Sequence, residues 1–483
     1  VPGFPHFAHN GHVAWCVTHA FVDIHDLFVE RFDPGARHVA FRDGWLPVAR
    51  RQETIAIRGA EPRAFEVVET HHGPIIAGDP ASDTAIALRS VQFAETDLSF
   101  DCLPRMLRAD GVESLFEATR GWGLIDHNLV AGDTTGRIGH LVRARLPRRP
   151  RSNGWLPVPG WTGAHEWDGW IPHEEMPRVI DPPLGLIVTA NNRVAADDGP
   201  DYLCTDCHPP YRAQRVLARL QAAPEARGVE GAAAVHADTL SLNALLIRDR
   251  LAALPVPGNA AAAALRDRLL AWDGRMDAGS SAPTAYIALR RALTAILAER
   301  SGLGALAGTP LLSVSPGVPP MNQLWWALPN LLRDGDAALL NGWEWPQAMQ
   351  DALARAARED TSHPWGEVHR PRFTHPLSPL FPDWAPLLDP PALPLGGDTD
   401  TVLANGFMAA AGPVAAYGAL ARYAFDVGAW ENSRWTVFHG ASGHPGSPHY
   451  ADQHAVWAGT AMVPMTYGWD ALRRTAPWRQ ELA

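Results

Sequence analysis

His9-Asn-Gly-His-Val-Ala-Trp-Cys-Val-Thr-His-Ala-Phe-Val-Asp-Ile-His-Asp-Leu-Phe-Val-Glu-Arg-Phe32 is the stretch on which the reading of this chain turns. Asn10-Gly11 is the dipeptide of a tight type I′ hairpin. Val13 to Thr18 then reads as a strand. Two carboxylates, Asp23 and Asp26, follow on one short segment, separated by Ile24 and His25. Hard cations such as calcium take about six to eight oxygens and mix carboxylates with backbone carbonyls. A D-x-x-D pair also reads as two solvated acids at a strand end, so these residues alone leave both readings open.

Outward from this stretch, Thr54–Ile57 and Ala64–Thr70 predict a second hairpin joined through Gly59, and a helix is expected around residues 100–120. A strand pair spans 127–144 and turns at Asp133-Thr-Thr-Gly136. Leu186-Ile-Val-Thr-Ala190, bounded by Gly185 and Asn191, predicts a short apolar strand. After about residue 210 the texture becomes rich in Ala, Leu and Arg, and Leu289, Leu293, Ile296 and Leu297 lie on one helical stripe. A strand-rich block is expected from Gly396 to about Pro464. Strands, then helices, then strands predict an α+β core with a helical insertion and no regular βαβ array. The expected divisions are 1–214, a sheet-rich core; 215–370, mostly helical; and 371–483, returning strands.

Composition narrows the chemistry. The 483 residues suffice for one large or two to three ordinary domains. With 42 Gly and 43 Pro the chain is turn-rich, which argues against a simple helical bundle. All 41 basic residues are Arg, so Schiff-base and phosphate-loop lysines are excluded. A net charge of −11 argues against a nucleic-acid partner. The basic run Arg143, Arg145, Arg148, Arg149 and Arg151, interleaved with Pro147 and Pro150, reads as a solvated loop. Residues 401–421 carry no charge, but their Asn, Gly and Pro content predicts a buried core segment, not a membrane span. Cys204-Thr-Asp-Cys207-His208 has the spacing of haem attachment, of a redox or metal pair, or of inert loop thiols. No three-ligand zinc spacing occurs among the histidines.

Two further segments carry candidate chemistry, and two more read as structural signatures. Thr189-Ala-Asn191-Asn192-Arg193 follows the apolar run, Pro209-Pro-Tyr-Arg212 opens a helix, and Trp272-Asp-Gly-Arg-Met-Asp277 and Gly440–Gln453 are further signatures. Together with the His9 segment, and in this order, they resemble the catalytic subunit of the penicillin acylase family, the N-terminal-nucleophile hydrolases.

The resemblance implies a four-layer αββα sandwich with a helical insertion. It implies hydrolysis of linear amides in N-acyl compounds such as β-lactam side chains, with acyl-homoserine lactones or lipopeptides as the alternative substrates and a non-catalytic binding homologue as the alternative class. Asn191 would point its carboxamide at the developing oxyanion, the backbone N–H of His19 would be the second donor, and Arg212 would support that site. Phe7, His127 and Leu103 would line the acyl pocket. A structural calcium would be held by Asp23, the His25 carbonyl, Asp26 and Asp201, with a carbonyl near Gly154 as a weaker candidate. The expected partners are a small N-acyl amide substrate and a smaller α subunit cut from the same precursor, in the bacterial periplasm or outside the cell. The family's N-terminal Ser nucleophile would lie some fifty residues upstream of the His9 segment. Since Val1 has neither hydroxyl nor thiol, this chain alone is expected to be inactive.

Overall fold

A computed structural model describes residues 6–196, 202–223, 227–304, 320–409, 411–476 and 481. The chain divides into two compact units, Val1–His208 and Pro209–Ala483.

The first unit carries thirteen strands among its described residues: β1 (Ala8–His9), β2 (Val13–Thr18), β3 (His25–Arg31), β4 (His38–Phe41), β5 (Gly44–Pro47), β6 (Ala49–Ile55), β7 (Arg63–Thr70), β8 (Gly73–Gly78), β9 (Thr84–Ser90), β10 (His127–Asp133), β11 (Ile138–Arg143), β12 (Val158–Pro159) and β13 (Arg178–Ile180). Its helices are α1 (Val91–Ala94), α2 (Ser99–Met106) and α3 (Val112–Ala118). One sheet has the order β1-β2-β10-β11-β13 and another β12-β3-β9-β8-β7-β6. In the first sheet Val17 faces Leu129, which faces Leu141. Successive side chains alternate across a strand, so Val13, Trp15, Val17, Leu129, Ala131 and Leu141 form one apolar face. All are buried, and they cluster with Met106, Val112, Leu115 and Phe116 of α2 and α3.

The principal helices of the second unit are α4 (Tyr211–Ala222), α5 (Val229–His236), α6 (Leu242–Ala252), α7 (Ala260–Ala271), α8 (Ala282–Arg300), α9 (Pro320–Asp334) and α10 (Trp345–Ala356). Apolar residues occupy α8 on nearly all sides, so it forms the centre of its own core with Trp325, Leu328 and Leu353 packed around it.

Four expectations are corrected. Asn10 and Gly11 do not form a two-residue turn. His9 pairs with Ala14, and the longer loop is closed by the Asn10 Oδ1, which accepts the N–H groups of His12 and Val13. The helix around 100–120 is two helices broken at Ala109–Gly111. Leu186–Ala190 is half-buried but pairs with no strand among the described residues, and the chain turns at Asn191, whose φ is 67°. The block after Gly396 holds only β14 (Ala421–Ala424), β15 (Arg434–Val437) and β16 (Val463–Pro464) among the described residues. Side chains satisfy much of its buried backbone in place of a ladder: Asp398 Oδ1 accepts from the N–H groups of Asp400 and Thr401.

Candidate oxyanion and acyl-binding site

The site grows from one end of the β2-β10-β11 ladder. Thr18 pairs with Asn128, and His127 pairs with Arg143. The apolar sheet face therefore ends in a polar row, with His19, His127 and Arg143 next in register beyond Val17, Leu129 and Leu141. The His19 and His127 rings stack at 6.0 Å, and the His6 ring meets His127 edge-on at 5.6 Å.

Three side chains hold the backbone at His19. Asn191 Nδ2 donates to the His19 carbonyl at 2.8 Å and Asn128 Nδ2 donates to the same oxygen at 3.1 Å. Asp126 Oδ2 accepts the Ala20 N–H at 2.8 Å. Among the described residues no group accepts the His19 N–H itself. The nitrogen and oxygen of one residue are at most about 3.6 Å apart, so the Asn191 carboxamide nitrogen lies within about 6.5 Å of the His19 nitrogen. Asn191 is placed by its left-handed backbone, tolerated by Asn better than by most residues, and by the His208 N–H that its carbonyl accepts at 3.0 Å.

The electrostatics are uneven. Burial pushes His127 down to about 3, and the Arg143 charge adds to that. Arg143 Nη2 lies 2.7 Å from His127 Nδ1. A guanidinium can only donate, so His127 accepts through Nδ1 and is neutral. Arg143 is buried. It lies 3.7 Å over the Trp122 ring, and its Nη1 contacts Met106 Sδ at 3.5 Å. No carboxylate among the described residues pairs with it, and burial pushes it down to about 9. His19 is different. Its Nδ1 is 4.0 Å from Asp126 Oδ1, and the carboxylate raises its pKa against the effect of burial. Burial opposes ionisation of Asp126, yet the neighbouring His19 and the Ala20 N–H hold it below the usual carboxylate value.

The remaining candidates are placed as follows. Leu103 lies on α2, half-buried against the same core, one turn before Met106. Phe7 precedes β1 and is 39% exposed. Arg212 belongs to the second unit, at the start of α4, where it is half-buried and lies near the Asp400 carboxylate and the Tyr417 hydroxyl. Asp126, Asn128 and Arg143 were not singled out from sequence as site residues. The run Asp126-His127-Asn128 at a strand start was the available signal. Arg143 had been read as part of a solvated loop, and pairing with His127 overturns that reading.

Of the expected calcium ligands, Asp23 and Asp26 lie near each other and near Arg149 and Asp206. Asp26 is buried, and its oxygens take the Arg149 Nε at 2.9 and 2.8 Å, the Asn153 Nδ2 at 3.1 Å and the Trp167 Nε1 at 2.5 Å. Burial raises the Asp23 carboxyl to about 7. The His25 residue opens β3 and is exposed. The Gly154 carbonyl accepts from Thr205 Oγ1 at 3.3 Å. Asp201 lies outside the described residues. Cys204 and Cys207 form a disulfide, which leaves neither sulfur for haem.

The Asn191 carboxamide and the His19 backbone thus stand side by side at the end of the β2-β10-β11 ladder. The family model for penicillin amidase matches residues 1–474. The chain is 64% identical over its whole length to penicillin acylase 2 proenzyme of Pseudomonas sp. (strain SE83), of which it spans 62%. It is 29% identical over 93% of its length to the acyl-homoserine lactone acylase QuiP of Pseudomonas aeruginosa, of which it spans 58%. A thermostable penicillin G acylase from Alcaligenes faecalis superposes with a TM-score of 0.70 at 20% identity, covering 100% of this chain and 90% of that one. The chain belongs to the penicillin amidase family and has the N-terminal-nucleophile hydrolase fold. It spans about three-fifths of the length of these two curated relatives.

Proposed function

We propose that this chain is the greater part of the catalytic subunit of an amide hydrolase that removes the acyl group from N-acyl compounds. The observation that carries the reading is the convergence of Asn191, Asn128 and Asp126 on the His19 segment, which fixes a backbone donor beside a carboxamide. In the proposed reaction an N-terminal Ser hydroxyl attacks the substrate carbonyl while its own α-amine takes the proton. The carbonyl oxygen becomes an oxyanion held by the His19 N–H and the Asn191 Nδ2. Collapse breaks the C–N bond as the α-ammonium returns its proton to the leaving amine, and water, deprotonated by the same α-amine, then hydrolyses the acyl-enzyme ester and restores the Ser hydroxyl. The relative named a proenzyme supports maturation by cleavage into subunits, with a smaller α subunit as partner. No helix among the described residues is long and apolar enough to cross a membrane, and a periplasmic site is the family-based proposal.

The acyl group we propose ends in a carboxylate. A buried guanidinium without an acidic partner is costly, and a substrate anion would compensate it. The row His19, His127, Arg143 suits such an end better than a phenyl ring or a long alkyl chain, which disfavours the acyl-homoserine lactone alternative. The test compares N-glutaryl, N-phenylacetyl and N-octanoyl chromogenic amides on the assembled enzyme. In an Arg143→Met variant, kcat/KM for the glutaryl amide is expected to fall by roughly 10²-fold, mainly through KM, with the phenylacetyl value unchanged. Equal losses on all three substrates would reject the carboxylate reading and leave amide hydrolysis standing. No cleavage of any amide by wild type would reject the hydrolase itself.

A further inference from the structure

We infer that the Arg149 guanidinium does here the structural work that a calcium ion would do between Asp26 and the Asp23 carbonyl, so this protein is held together without calcium. Arg149 Nε binds the Asp26 carboxylate, Nη2 donates to the Asp23 carbonyl oxygen at 2.6 Å, and Nη1 donates to the Pro147 carbonyl at 3.2 Å. One cation thus ties three segments: the loop before β3, the start of β3, and the loop at 146–154. The Tyr202 ring covers it, 5.0 Å from the guanidinium carbon. Both side chains of the Arg149–Asp26 pair are 0% exposed.

The donor set leaves a divalent ion little to bind. Calcium takes about six to eight oxygens. The Asp26 oxygens are already met by Arg149, Asn153 and Trp167, and the Gly154 carbonyl by Thr205. Asp23 Oδ2 and the Tyr202 hydroxyl are the buried oxygens here without a partner among the described residues, fewer than the ion's coordination number. Space is short beside them too, since a Cβ on Gly154 would stand 1.7 Å from Tyr202 Oη and 2.7 Å from Asp23 Oδ2.

The experiment measures the calcium content and melting temperature of the purified wild-type protein with and without excess chelator. The expected result is no retained calcium and an unchanged melting temperature. One calcium per chain, or a chelator-induced fall that calcium reverses, would overturn the inference. A second measurement replaces the cation itself. Arg149→Gln leaves Asp26 buried without a countercharge and is expected to lower the melting temperature by roughly 10 °C, or to prevent folding. A variant that melts with the wild type would show that the guanidinium holds nothing.

Discussion

Single residues set the chemistry of the site through what they leave unsatisfied. Asn191 is held by its left-handed backbone and by the His19 carbonyl. Asn191→Ala removes a donor from the oxyanion and a brace from His19, so kcat is expected to fall by roughly 10²–10³-fold with a smaller change in KM. Steady-state kinetics on the assembled enzyme check this, and an unchanged kcat would remove Asn191 from the mechanism. Arg143 shows the limit of reading residues singly. In sequence it stands among five arginines within nine positions. In space it is opposite His127, over Trp122, and far from the environment that the run suggested. Arg149, from the same run, is the buried partner of Asp26. Charge density in a sequence measures how many cations there are, and the pairing of strands decides which of them leave water.

At the level of elements, helix α3 packs on β11 because β11 opens with Ile138-Gly139. A Cβ at 139 would stand 2.5 Å from Val112 Cγ1 and 2.8 Å from Phe116 Cζ. Gly139→Ala is therefore expected to cost about 1–3 kcal/mol by overpacking, read as a lower denaturation midpoint with unchanged slope. The turn between β7 and β8 is tied differently. His72 Nδ1 contacts Glu30 of β3 at 2.7 Å, and its Nε2 contacts Glu166 at 2.8 Å, with the Phe28 ring stacked on it. Burial would discharge this histidine, but the Glu166 and Glu30 carboxylates outweigh it and raise its pKa above 6.5. A raised folded pKa stabilises fully below the unfolded value and is lost as pH rises through the folded one. The melting temperature of His72→Gln should therefore fall furthest below wild type on the acid side of neutrality and converge with it in alkali. A gap that widens with rising pH would mean that His72 is neutral in the folded protein.

Across the whole molecule, each unit is built around its own core and its own buried arginines. In the second unit Arg290 of α8 pairs with Asp400, lies 3.9 Å over Trp325 and donates to the Trp325 carbonyl at 2.8 Å. Arg290→Ala would leave Asp400 buried without its ion-pair partner, with Arg212 as the remaining nearby cation. It is expected to cost about 3–5 kcal/mol in equilibrium denaturation. A loss below about 1 kcal/mol would mean that water already reaches the pair.

By itself the sequence determined the family and its α+β class, because hydrophobic alternation at 13–18 and 127–143, helical periodicity after 210, and ordered motifs are local signals that survive without coordinates. It also brought Asn191 and His19 into one argument. Leu186–Ala190 and the block after Gly396 misled it. A strand exists only where a partner accepts its hydrogen bonds, and an apolar run states burial without stating pairing. Only the tertiary structure decided that Asp26 faces an arginine 123 positions away in the chain and that Arg143 ends the apolar face beside His127. Those outcomes depend on which backbones lie side by side, and a cation's environment is set by neighbours that sequence distance does not reveal.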